Sequence, residues 1–280
     1  MSTEEQAEFL QELARALNAK DVALPSFPDV VIQIRTALED PTCTPDRLAE
    51  VAKMDPVLVS RLLMSANSAF HNRAGIEIVD LNLAISRLGF EAVKNTAIAL
   101  AVEQLFNASK HKDLREKLKE LWSRSISLSS MCYVLAVRAA NVNSDNAFLC
   151  GLLHEVGKLY ILTKAKDYPS FLGDSDTLDA VMTQWNPQVG KSIVESWGFS
   201  AEIAESCDAD VPMDANASQA AALVDVVCAA NAILDDENAA LESDPLHPSI
   251  TRLGVSMESL PDIKESFELH AQSMRQAIST

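Results

Sequence analysis

The sequence predicts an all-α protein, and three observations carry this prediction. Residues that cap helices stand directly before proline at Thr44-Pro45 and at Asp55-Pro56, a pattern typical of the first turn of a helix. Glycine, which is needed mostly at turns, occurs only 8 times in 280 residues. No segment alternates between apolar and polar residues as a half-buried strand would. We therefore expect many helices joined by short connections.

The first half of the chain carries clear signals for where helices begin and end. Ser2 and Glu5 form the pattern of a capping box. Pro28 is expected as the first residue of a helix that ends before Pro41, and Gly89 is expected as a C-terminal cap. After the helix that begins at Ser2, the helices predicted here cover residues 28–39, 45–54, 56–69, 81–88 and 90–106.

The second half continues in the same way. Asp113 is the expected cap of a long helix over 113–140, and Pro187 is expected to open a helix that Gly198 closes. The apolar segment 147–163 is expected in the middle of a helical bundle. Further helices are predicted near 200–208, 216–234 and 258–278, with an acidic loop over 235–248.

A soft boundary at Asn107-Ala108-Ser109 divides the chain into two predicted parts. These are an N-terminal helical subdomain over 1–108 and a helical core with C-terminal helices over 109–280. We expect the two parts to pack closely, as two domains or as one unit.

The distribution of charge excludes some classes of partner. Residues 1–150 carry 16 Lys and Arg against 19 Asp and Glu, whereas residues 151–280 carry 7 against 21, which is a net charge of −14. Such a surface repels phosphate backbones, so we expect no nucleic-acid partner. No run of apolar residues is long enough to span a bilayer, and the acidic N-terminus is unlike a signal peptide. The five scattered cysteines favour reduced thiols in the cytoplasm over disulfides or a zinc site.

Four segments, in this order, resemble the HDOD family, a branch of the HD phosphohydrolase superfamily. They are Leu24-Pro25-Ser26-Phe27-Pro28, then Asp55-Pro56-Val57-Leu58 with Arg61-Leu62-Leu63, then Ala66-Asn67-Ser68-Ala69-Phe70, and Gly151-Leu152-Leu153-His154-Glu155-Val156-Gly157-Lys158-Leu159. The resemblance runs from about Leu24 to Asn231. It implies an HD-domain or phosphodiesterase-like helical bundle with an additional N-terminal helical subdomain.

The resemblance also implies metal ligands at five places, because HD enzymes use bound metal ions to activate a water for attack on a phosphate ester. At these places the chain has Arg124 for a first His, His154 and Glu155 for the His-Asp doublet, Asn186 for a His, Asp208 and Asp210 around a His pair, and Asn231 for a final Asp. Only one His remains in this set. We therefore expect no metal and no other cofactor, and we interpret the set as a remnant site.

Several residues of the remnant site have two readings. His154 fits a neutral, hydrogen-bonded core histidine better than a metal ligand. Arg124 would repel a divalent ion, and we expect it to form an ion pair with Glu155 instead. Arg124 and Lys158 are the candidates for holding a phosphorylated ligand, although Lys158 also fits a side chain that extends from its helix into solvent.

These observations favour a non-catalytic signal-transduction or scaffold protein in bacterial regulation, which is what the resemblance implies for the family. HDOD domains are often fused to other signalling modules, for which 280 residues leave no room, so the input is expected in trans from a regulatory protein partner or a small ligand. The alternative is a metal-dependent phosphohydrolase acting on a nucleotide or cyclic dinucleotide, with a divalent metal near His154 and Glu155. A third possibility is a binder that holds a phosphorylated ligand in the remnant cleft without turnover.

Overall fold

The computed structural model describes residues 2–19, 22, 24–108, 112–139, 141–208, 221–242 and 247–278. These residues form fifteen α-helices and no strand, which confirms the all-α fold for the described part of the chain. The helices are Ser2–Ala19 (α1), Asp29–Glu39 (α2), Pro45–Ala52 (α3), Pro56–Asn67 (α4), Leu81–Leu88 (α5), Phe90–Asn107 (α6), Lys112–Arg138 (α7), Ser144–Leu153 (α8), Val156–Ala165 (α9), Pro169–Leu172 (α10), Ser175–Ser196 (α11), Ala201–Glu205 (α12), Leu223–Glu242 (α13), Pro248–Leu253 (α14) and Leu260–Ile278 (α15).

The caps predicted at the starts of α3 and α4 and at the end of α5 are found in the structure. Thr44 accepts a hydrogen bond from the Arg47 N–H at 3.2 Å, and Asp55 accepts one from the Val57 N–H at 2.8 Å. Gly89 follows α5 with φ of 83°, a conformation that favours glycine. The sequence signals at these helix ends were therefore sufficient to locate them.

Other helix boundaries differ from the prediction. Pro28 is the N-cap of α2 rather than its first residue, and α7 begins at Lys112 rather than after an Asp113 cap. Pro187 lies inside α11, which begins at Ser175. An interior proline costs a helix about 3 kcal/mol. Here α11 buries apolar side chains on both sides of the proline and packs along α9, which offsets that cost.

Helices occupy two stretches in which no helix was predicted. The acidic loop expected over 235–248 is partly occupied by the end of α13 and the start of α14. The four-residue α10 was not predicted, because a helix this short has no apolar period to detect.

The chain divides into two units. Unit 1 contains Met1–Pro25 and Phe106–Met257, and unit 2 contains Ser26–Leu105 and Glu258–Thr280. The contiguous division predicted at residue 108 differs from this at both ends of the chain, because α1 belongs to unit 1 and α15 to unit 2.

Specific contacts explain where α1 belongs within unit 1. The Glu5 carboxylate accepts hydrogen bonds from the backbone N–H groups of Ser170 and Phe171, at 2.9 and 3.2 Å, and thereby caps α10. The Phe9 ring lies 4.9 Å from the Phe171 ring. These contacts join residues more than 160 positions apart, so no local sequence signal predicts them.

In unit 2, α15 packs against α4. The Ser273 hydroxyl donates a hydrogen bond to the Ser68 hydroxyl at 2.8 Å, and both residues are buried. The His270 ring meets the Phe70 ring edge to face at 4.9 Å. In the described part of the chain, no helix combines the length and the apolar character needed to cross a bilayer.

Candidate functional site

The candidate site forms where α8 ends and α9 begins. The apolar segment predicted over 147–163 is not one helix, because α8 ends before His154 and the backbone leaves helical geometry at Glu155. Glu155 has φ of −101° and ψ of 14°, and α9 resumes at Val156. The break lies inside unit 1, and Glu155 is only 5% exposed.

Asn186 holds this break from α11. Its side-chain amide donates to the His154 carbonyl at 3.0 Å and accepts from the Lys158 N–H at 3.1 Å. It therefore satisfies the carbonyl of the C-cap residue of α8 and gives a second acceptor to one N–H group in the first turn of α9, which also donates to the Glu155 carbonyl. A side chain at Gly157 would prevent this approach, since a Cβ there would lie 2.5 Å from the Asn186 carbonyl oxygen. Asn186 is buried and acts on the backbone rather than on a ligand.

The His154 imidazole uses both of its nitrogens. Nδ1 lies 3.1 Å from the Ser206 carbonyl oxygen, and Nε2 lies 3.1 Å from the Asn231 side-chain nitrogen. A carbonyl only accepts, so Nδ1 carries the proton. The Arg124 guanidinium donates to Asn231 Oδ1 at 3.1 Å, which leaves Asn231 Nδ2 to donate to Nε2. The geometry thus corresponds to a neutral imidazole whose Nε2 lone pair is already engaged.

Arg124 does not form the predicted ion pair with Glu155. Its guanidinium instead pairs with Asp235 at 2.6 Å. Asn231 and Asp235 are four residues apart on α13, so both lie on the helix face that meets Arg124 on α7. Asp235 was not among the predicted site residues, although its spacing from Asn231 could have indicated it.

Glu155 pairs with the side chain one turn further along. The Lys158 ammonium lies 2.6 Å from Glu155 Oε1, and the Lys158 side chain is 25% exposed. No described residue donates a hydrogen bond to the other carboxylate oxygen, Oε2, which is buried. Lys158 thus neutralises Glu155 from one side, and one oxygen of the buried carboxylate has no protein donor among the described residues.

The segment after α12 contributes differently from the prediction. Asp208 is half-buried, and no hydrogen bond or ion pair joins its carboxylate to the described residues around His154. Asp210 lies outside the described residues. Ser206 and Cys207 approach α8 instead, and the Cys207 thiol lies 3.7 Å from the Leu153 carbonyl oxygen. Burial raises the pKa of the Cys207 thiol, so this cysteine is a protonated core residue.

An open groove of about 490 Å³ lies beside this cluster, between α7, α9 and α11. We call it the polar groove. It includes both Arg124 and Lys158, the two candidates for holding a phosphorylated ligand. The residues that line the groove are Lys117, Glu120, Leu121, Arg124, Glu155, Lys158, Leu162, Ser175, Asp179 and Met182.

The described residues do not fit a divalent metal ion. Among them, no group of three or more His, Cys, Asp or Glu side chains is arranged to hold one. A metal-ligating histidine needs a free nitrogen lone pair, whereas His154 accepts a hydrogen bond from Asn231 at Nε2. The Arg124 guanidinium, hydrogen-bonded to the same Asn231, adds a positive charge beside the position a cation would take.

Two solved structures of similar fold have been described as a phosphohydrolase and as a signal-transduction protein. The crystal structure of Putative metal-dependent phosphohydrolase from Shewanella amazonensis SB2B is similar with a TM-score of 0.80 and 26% identity, over 97% of this chain and 99% of that chain. The structure of a Putative signal transduction protein from Marinobacter aquaeolei VT8 is similar with a TM-score of 0.61 and 19% identity, over 96% of this chain and 66% of that one.

The sequence comparison then gives the family. An uncharacterised protein of Treponema pallidum (strain Nichols) is 22% identical over 207 residues, which is 67% of this chain but only 37% of that protein. The profile of the HDOD domain matches residues 24–210 of the chain. The chain therefore belongs to the HDOD family, as the ordered motifs predicted.

Proposed function

We propose that this protein is a non-catalytic signal-transduction module of bacterial regulation, in which hydrogen bonds occupy the vestigial HD site. One observation carries the proposal: both nitrogens of His154 are engaged, by the Ser206 carbonyl and by Asn231. Arg124 holds the Asn231 amide in the orientation that makes it a donor. The residue that the family uses to bind a metal is thus built into the protein's own hydrogen-bond network.

A metal ion at His154 would have to displace hydrogen bonds that are already formed. Binding at Nε2 would break the hydrogen bond from Asn231 and bring a divalent cation close to the Arg124 guanidinium. The Asn231 amide is half-buried, and losing its hydrogen bond costs about 1 kcal/mol. The ion pair with Asp235 favours the observed position of Arg124, by the small free energy that an exposed pair contributes.

The proposal is tested by metal analysis of protein purified without chelator, together with turnover assays on p-nitrophenyl phosphate and bis-p-nitrophenyl phosphate. We expect substoichiometric iron, manganese, magnesium and nickel, and turnover no greater in the wild type than in His154→Ala. A full equivalent of one of these metals, lost together with metal-dependent turnover in His154→Ala, would refute the proposal.

A second candidate is a metal-dependent phosphohydrolase with an atypical site. It is favoured by the fold similarity to the Shewanella amazonensis protein described in those words. Asn231 and Arg124 argue against this candidate. At positions where a metal site needs anionic or neutral ligands, Asn231 offers an amide donor and Arg124 a positive charge. The same metal analysis distinguishes the two candidates.

A module without turnover acts by binding, so its input is proposed to arrive in trans, from a regulatory protein partner or a small ligand. The net charge of −14 over residues 151–280 supports a protein partner over nucleic acid. The cytoplasm is the proposed location. Five unpaired cysteines, four of them buried, support it because reduced thiols persist in that compartment.

A further inference from the structure

The polar groove is lined by one stripe of side chains from each of three helices. Positions 117, 120 and 124 of α7, positions 158 and 162 of α9, and positions 175, 179 and 182 of α11 each repeat at three- or four-residue spacing. Glu155 lies at the junction before α9 and is the buried charge of the lining. The groove is therefore a regular feature of the helix packing rather than a gap in a loop.

The three cations of the groove already have protein partners. The Lys117 ammonium donates to the Ser175 hydroxyl at 2.9 Å. Arg124 pairs with Asp235, and Lys158 pairs with Glu155, both at 2.6 Å. An anion entering the groove would share these cations with their present partners, of which Asp235 and Glu155 carry negative charge.

The carboxylates of the groove are less engaged. Glu120 and Asp179 are exposed, and neither pairs with a described cation. Glu155 is 5% exposed, and its Oε2 receives no hydrogen bond from a described residue. A buried carboxylate oxygen without a donor is unfavourable, so this atom is open to a donor beyond the described residues.

We infer that the polar groove binds a small organic cation whose ammonium or guanidinium group donates to Glu155 Oε2 and lies among the Glu120 and Asp179 carboxylates. A volume of about 490 Å³ falls within the ordinary range of small-molecule sites. This inference rests on the proposed function, since it supplies the input ligand of a module without a catalytic metal.

Two other classes of ligand fit the groove less well. A phosphorylated ligand, which the sequence analysis considered, would meet three carboxylates and three cations that are already bonded. A divalent metal ion lacks a suitable group of three acidic or histidine ligands among the described residues. An organic cation has the sign of charge that Glu120, Asp179 and Glu155 favour, and its N–H groups reach one carboxylate oxygen without displacing Lys158 from the other.

The inference is tested on the full-length protein by isothermal titration calorimetry with agmatine and spermidine, and with AMP and pyrophosphate as anionic comparators. We expect saturable one-to-one binding of at least one amine, weakened by added salt, and no binding of either anion. Glu155→Gln should weaken amine binding by about 10- to 150-fold, because a hydrogen bond to a charged group is lost. Circular dichroism of this variant shows whether it remains folded.

A second variant avoids any effect on the core. The double substitution Glu120→Gln with Asp179→Asn changes exposed positions only and should weaken binding by about 2- to 25-fold. Glu116→Gln, one turn from Glu120 on α7 but outside the groove, is the matched control and should bind like the wild type.

The outcomes separate this inference from the proposed function. Absence of amine binding, binding of AMP or pyrophosphate in place of amines, or amine binding unchanged in the double variant would overturn the inference and leave the proposed function standing. Stoichiometric metal with turnover dependent on His154 would overturn the proposed function, whatever the amine titrations show.

Discussion

At the scale of single residues, Asn186 has the clearest structural role. One side chain serves the His154 carbonyl and the Lys158 N–H, and it is 4% exposed. We expect Asn186→Ala to lower the free energy of unfolding by about 1 to 3 kcal/mol, because the His154 carbonyl loses this hydrogen bond and the Lys158 N–H keeps only the Glu155 carbonyl as acceptor. Urea denaturation followed by circular dichroism measures the change.

Gln188→Ala is the control for this prediction, because Gln188 lies exposed on the same helix. It should leave stability within about 0.5 kcal/mol of the wild type. If Asn186→Ala proved equally mild, the junction between α8 and α9 would not depend on this side chain.

The residues around His154 show what a sequence can and cannot reveal about such a site. Arg124, His154 and Asn231 were selected as remnant positions, and the structure joins them by hydrogen bonds. The partner of His154 Nδ1 is a backbone carbonyl, that of Ser206, which has no side-chain signature. The prediction of an ion pair between Arg124 and Glu155 was wrong, since Arg124 pairs with Asp235 instead. Asp235 lies on α13, and the position of that helix depends on tertiary packing.

At the scale of helices, the close approach of α9 to α11 depends on Gly157. A Cβ at this position would lie 2.5 Å from the Asn186 carbonyl oxygen and 2.8 Å from the Gly190 nitrogen, both backbone atoms. We expect Gly157→Ala to destabilise the protein by about 2 to 3 kcal/mol, because the two helices would have to separate. The measurement is the midpoint of urea unfolding at constant slope.

Gly173→Ala is the matched comparison for Gly157→Ala. Gly173 has φ of −77°, and the nearest atom to an added Cβ is 3.4 Å away. This substitution should cause no loss of stability, since alanine restricts the unfolded chain. Equal effects of the two substitutions would mean that the spacing of α9 and α11 is not limited by Gly157.

The helix boundaries illustrate a second limit of sequence reasoning. Caps at Thr44 and Asp55 are local interactions and were predicted correctly. The break between α8 and α9 interrupts an apolar segment, and α11 continues through Pro187 although proline disfavours the helix interior. Packing between distant helices sets both features. Local signals therefore predict where an isolated helix begins, and tertiary contacts decide where a buried helix is interrupted.

At the scale of the whole molecule, the stability of the native chain depends on pH through buried histidine. Burial, together with the smaller effect of the nearby His71, lowers the pKa of His270 to about 3. The pKa of His71 is also lowered, by burial and by Arg87. In the unfolded chain these groups titrate near their ordinary value, so between about pH 6.5 and pH 3 the unfolded state binds more protons than the native state.

Stability should therefore be fully present above about pH 6.5 and decrease as the solution becomes more acidic. Between pH 6.5 and pH 5, where most carboxylates remain ionised, His270 alone should remove about 1.5 kcal/mol from the free energy of unfolding. Urea unfolding of the wild type and of His270→Gln at several pH values tests this. Between pH 6.5 and pH 5 the free energy of unfolding of the variant should fall by about 1.5 kcal/mol less than that of the wild type, even if the variant is less stable at neutral pH. Parallel curves for the two proteins would mean that His270 gains its proton without unfolding unit 2.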